Sequence, residues 1–72
     1  MTQAQRIAEY LDEFGAITPL DAFRDLGITK LATRISEMKR DGYRFSQKYE
    51  KSKNRYGEPV YYMEYRWADD EQ

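Results

Sequence analysis

Seventy-two residues, 40% of them apolar and 35% charged, suffice for one domain with a single core and leave no room for a second. With no cysteine and no histidine, the chain lacks disulfides, thiolate nucleophiles, imidazole bases and the usual zinc sites, which removes most enzyme chemistry. The net charge of −1 hides an asymmetry: residues 29–56 carry nine basic side chains against three acidic ones, and the remainder carries three against ten.

In chain order, Thr2 with Gln5 makes a capping box, and Ile7, Tyr10, Leu11 and Phe14 recur at helical spacing up to a Gly15 stop. Ala16 and Ile17 read as a short extended link. Thr18-Pro19-Leu20-Asp21 then combines an N-cap, a proline at the first helical position and an acid in the first turn. This predicts a brief second helix with Leu20, Ala22, Phe23 and Leu26 as apolar contacts, ended by Gly27, with Ile28 tucked back into the core. Thr29 is the expected N-cap of a third helix running to about Arg40, stopped by Asp41-Gly42. Its Leu31, Ile35 and Met38 share one sector, and the opposite side carries Thr29, Thr33, Ser36, Glu37 and Arg40, flanked by Lys30, Arg34 and Lys39.

Beyond Gly42 the period changes to two. Tyr43, Phe45, Gln47 and Tyr49 alternate with polar residues up to Glu50, and a second alternating run spans Val60 to Trp67. Between them, residues 51–59 are rich in turn formers and cations, so two strands joined by a basic loop are expected. Leu11, Phe14, Phe23, Leu26, Ile35 and Met38 are expected to share one core with the strands' aromatic face, formed by Tyr43, Phe45, Tyr61, Tyr65 and Trp67, while Tyr49, Tyr56 and Tyr62 stay partly exposed. The expected domain covers residues 1–67, followed by a disordered acidic tail, residues 68–72.

These elements specify an α+β winged helix-turn-helix: three helices followed by a two-stranded antiparallel wing. A turn containing glycine also serves any small three-helix domain that must close its core, and cations on a helix are ordinarily solvated surface. The combination of basic helix and basic wing, adjacent in chain order, points to double-stranded DNA. Small polar residues at Thr29, Thr33 and Ser36 permit close approach to base edges. Lys30, Arg34 and Arg40 reach outward for phosphate or guanine, and Lys51, Lys53, Arg55 and Tyr56 extend the contact along the wing.

The stretch from Gln5 through Gly42 resembles a family of small phage and prophage helix-turn-helix proteins. The residues carrying the likeness are Ile17-Thr18-Pro19-Leu20-Asp21-Ala22 and Leu26-Gly27-Ile28-Thr29-Lys30-Leu31-Ala32-Thr33-Arg34-Ile35. Arg40-Asp41-Gly42-Tyr43 and Lys53-Asn54-Arg55-Tyr56-Gly57 look like that family's helix end and wing. The resemblance implies a winged helix fold and a DNA-binding or regulatory role.

The carboxylates fall at helix-surface, cap or tail positions, so the expectation is a non-enzyme with no catalytic residue, metal, cofactor or small-molecule substrate. No apolar run approaches the roughly 18 residues of a membrane span and the N-terminus lacks a secretory apolar segment, so a cytoplasmic protein without a membrane partner is expected. A homodimer stays open, as does the alternative of a winged helix that binds a host or phage protein.

Overall fold

The structure, a computed structural model, describes residues 1–68; residues 69–72 of the expected acidic tail lie outside them. Helix α1 (Gln3–Phe14) begins at the expected capping box, with Thr2 Oγ1 accepting from the Gln5 amide at 3.1 Å and Gln5 Oε1 accepting from the Thr2 amide at 2.8 Å. Two donors that a helix start leaves without partners are thereby satisfied. The same reciprocal arrangement between Thr18 and Asp21 starts α2 (Pro19–Asp21), which runs directly into a π-helical turn, Ala22–Leu26. The Ile28 amide reaches back to the Ala22 carbonyl at 3.0 Å, closing that turn around Gly27, whose φ of +70° suits a residue without Cβ.

Helix α3 (Leu31–Arg40) starts later than Thr29. Lys30 is its N-cap and supplies no side-chain cap, because Ile28 is drawn wholly into the core and Lys30 is still outside helical geometry at φ −125°, ψ 62°. Strands β1 (Phe45–Lys53) and β2 (Pro59–Trp67) form an antiparallel pair in register from Phe45 opposite Trp67 to Lys53 opposite Pro59. Tyr43 lies before the pairing. Lys51, Ser52 and Lys53, expected in the loop, belong to β1, so the connection shrinks to residues 54–58.

The ladder explains that extension. Tyr65 exchanges both backbone hydrogen bonds with Ile17, so its groups point away from β1, and every second residue of β2 must do likewise. Pro59 has Tyr65's parity, so its missing N–H deprives β1 of nothing and the pairing continues past it.

Ile7, Leu11, Ile17, Ala22, Ile28, Leu31, Ile35, Met38 and Tyr65 form the core, with Leu26, Phe45, Met63 and Trp67 partly buried against it. Phe14 and Phe23 are not in it, being 62% and 61% exposed, and Leu20 lies outside as well. The reason is local: Ala22 takes the core-facing position of the second helical segment, and its neighbour Phe23 points roughly a quarter turn further around the axis, toward solvent. Phe14 sits past the last core turn of α1 and covers Tyr10, with ring centroids 4.5 Å apart. Tyr43 and Tyr61 are also more exposed than expected. The sheet's inner seal is Phe45, Tyr65 and Trp67, with the Trp67 ring stacked on Phe45 at 5.3 Å.

Candidate nucleic-acid interface

On α3, Leu31, Ile35 and Met38 are buried, and the opposite sector presents Thr33, Ser36 and Arg40 to solvent. Thr29 and Lys30 are exposed where the chain enters the helix. The two flanks differ from this face. Arg34 turns toward the start of α1, sharing a hollow with Gln3, Gly27, Thr29 and Lys30; its Nη1 donates to Glu37 Oε1 at 3.3 Å, and its Nε is buried without a partner. On the other flank, Lys39 Nζ donates to Gln47 Oε1 of β1.

Strand register sorts the wing's side chains. Gln47, Tyr49, Lys51 and Lys53 share one face with Pro59, Tyr61, Met63, Tyr65 and Trp67, and this is the side on which α3 packs, since Gln47 meets Lys39 and Tyr65 enters the core. The other face carries both carboxylates of the strands, each beside a cation: Lys48 with Glu50 at 3.1 Å and Arg66 with Glu64 at 3.0 Å. The pleat therefore places Lys51 and Lys53 on the helix side and the strand acids on the far side.

Arg55 and Tyr56 form the tip, held by a residue that sequence reasoning passed over. Asn54 Oδ1 accepts from the Tyr56 amide at 2.9 Å and the Glu58 amide at 3.1 Å, and Asn54 Nδ2 donates to Glu58 Oε1 at 3.0 Å. Gly57 donates its amide to the Asn54 carbonyl with φ at +78°. The signal was present as an asparagine three residues before a glycine, the spacing of a side-chain-capped turn.

Among the described residues, Lys30, Arg40, Lys51, Lys53 and Arg55 make no ion pair and no side-chain hydrogen bond. Arg24, in the π-helical turn, is treated differently. Arg24 donates to Asp21 at 3.0 Å and Asp25 at 2.9 Å, and Asp25 also accepts from the Tyr10 hydroxyl at 2.7 Å, tying the π-helical turn to α1. The hydrogen bond from Arg24, then that from Tyr10, lowers the Asp25 carboxyl to about 2. Donation to Asp25, then burial, pushes the Tyr10 phenol up to about 12. Asp12 of α1 accepts from Trp67 Nε1 at 2.8 Å. Asp12, Asp21 and Asp25 of the helical half are thus committed to internal contacts, whereas Lys30, Arg40, Lys51, Lys53 and Arg55 are left to solvent.

Among the described residues, no helix is long and apolar enough to cross a membrane and no carboxylate cluster is placed to hold a metal ion. Residues 2–68 match the family model described as a winged helix-turn-helix domain. No curated protein and no solved structure matches the chain.

Proposed function

Because the chain belongs to the winged helix-turn-helix family, we propose that it binds double-stranded DNA, with α3 in the major groove and the wing along phosphate or the minor groove. Thr29, Lys30, Thr33, Ser36 and Arg40 are the groove-facing residues, Arg34 supports them from the flank, and Lys51, Lys53, Arg55 and Tyr56 make the wing contact. The observation that carries this reading is the set of cations without partners on α3 and the wing, beside strand carboxylates confined to the opposite sheet face. A cation already paired within the protein gains less from phosphate than one that releases a counterion from DNA. The resemblance to small phage and prophage proteins supports a regulatory or architectural role in the cytoplasm, without catalysis.

The test is a titration of random and genomic duplexes at two salt concentrations. Replacing Lys51, Lys53 and Arg55 together by alanine should weaken binding to every sequence and flatten the slope of log affinity on log salt by roughly 0.9 per charge, with folding nearly intact. A folded parent protein without salt-dependent duplex affinity at low ionic strength overturns the proposal. The exposed Phe14, Leu20 and Phe23 then favour a protein-binding winged helix instead.

A further inference from the structure

We propose that the α3 side of the distal wing is a stacking site for unpaired bases of single-stranded DNA. Two exposed tyrosines carry the inference: Tyr49 and Tyr61 are 72% and 65% exposed, and neither hydroxyl makes a hydrogen bond among the described residues. An isolated exposed aromatic needs no explanation, but these are arranged with cations. Tyr61 stands directly opposite Lys51 across the ladder, Tyr49 precedes Lys51 on the same face of β1, and Lys53 lies opposite Pro59 one step further out. Cross-strand diagonal neighbours such as Tyr49 and Tyr61 have Cβ atoms roughly 7 Å apart, near enough for two rings to take successive bases or to close on one.

The charge on this face selects the occupant. Neither strand carboxylate is on it, Asp21, which shares a hollow with Tyr61, is paired with Arg24, and Lys51 and Lys53 make no ion pair, so a backbone of phosphates is complemented. Alternating aromatic rings and unpaired lysines match a strand whose bases are available for stacking while its phosphates need neutralising. A closed duplex buries its base faces and leaves only grooves and phosphates, which would use the lysines and waste the rings. The inference rests on the duplex reading only for α3, which would sit on paired DNA while the wing takes the adjoining single strand; the wing site itself requires no duplex.

The experiment compares three probes by fluorescence anisotropy: a blunt duplex, the same duplex with a short single-stranded oligo(dT) extension, and free oligo(dT). The extension should tighten binding about tenfold for the parent protein, as expected for the loss or gain of one to two stacked bases. Tyr49→Ala with Tyr61→Ala should abolish that gain and the binding of free oligo(dT), leaving blunt-duplex affinity within about twofold. Tyr49→Phe with Tyr61→Phe should keep both, since the ring and not the hydroxyl does the stacking. Unchanged thermal melts establish that the exposed substitutions left the fold intact. An extension that adds no affinity, or a gain that survives the double alanine variant, overturns the inference whether or not the blunt duplex binds. Tyrosine-dependent oligo(dT) binding without blunt-duplex binding supports it and removes the duplex reading instead.

Discussion

Ile17 and Tyr65, forty-eight positions apart in the chain, exchange both of their backbone hydrogen bonds at 2.9 Å and are both buried. One residue of an interhelical link thereby acts as a third strand on the free edge of β2, fastening the helical half to the wing. Ile17→Ala should remove a filled core position and cost about 2–5 kcal/mol, lowering the melting temperature by roughly 10 °C or more. Phe23→Ala, a larger deletion at an exposed site, should change it by only a few degrees. Thermal denaturation of both variants checks the pair, and a Phe23 loss equal to that of Ile17 would contradict this packing.

Gly57 tests the wing turn without touching its charge. Nothing lies within 4 Å of a Cβ built there, so a substitution meets backbone strain at φ +78° and no steric wall. Gly57→Val should therefore cost more than Gly57→Asn, by about 1 kcal/mol, since asparagine tolerates the left-handed region and valine does not. Chemical denaturation gives the difference, and equal losses would show that the turn relaxes to accept either residue.

The Tyr10–Asp25–Arg24 cluster should shape stability at both ends of the pH scale. Asp25 titrates at about 2 when folded against an ordinary 3.8, so its contribution is present above pH 4 and disappears as the pH falls toward 2. Tyr10 moves the other way, from 10.0 to about 12; its contribution is present below pH 10 and is lost as the pH rises toward 12. Melting temperature against pH for the parent and Asp25→Asn provides the measurement. The gap between the two should be widest at neutral pH and close on acidification.

Arg34 and Arg40 lie six residues apart on one helix but should behave differently on truncation. Arg34 covers the flank of α3, with a buried Nε and an ion pair to Glu37, whereas Arg40 is exposed and unpaired. Arg34→Ala should lower the melting temperature by several degrees through lost packing of its stem. Arg40→Ala should leave stability unchanged while reducing the salt slope of duplex binding by roughly 0.9. Melting and titration of both variants separate these effects.

The sequence by itself determined the elements whose signals are local. Thr2 with Gln5 and Thr18 with Asp21 fix two helix starts through side chains that need only their own first turn. Period-two alternation and the glycines at 42 and 57 likewise mark the strands and their turn, and the run of cations from Lys30 to Arg55 marks the candidate face. Tertiary structure decided which apolar residues are core and which cations are left unpaired. Phe23 and Ala22 are equally apolar to a pattern, and only the approach of α1 and α3 selects the smaller one for burial. The helical half also could not reveal Ile17 as a strand, because its partner Tyr65 lies at the far end of the chain. Whether Lys51 shares a face with a carboxylate depends on the register of β1 against β2: the pleat alternates every residue, so a slip of one would exchange the two faces.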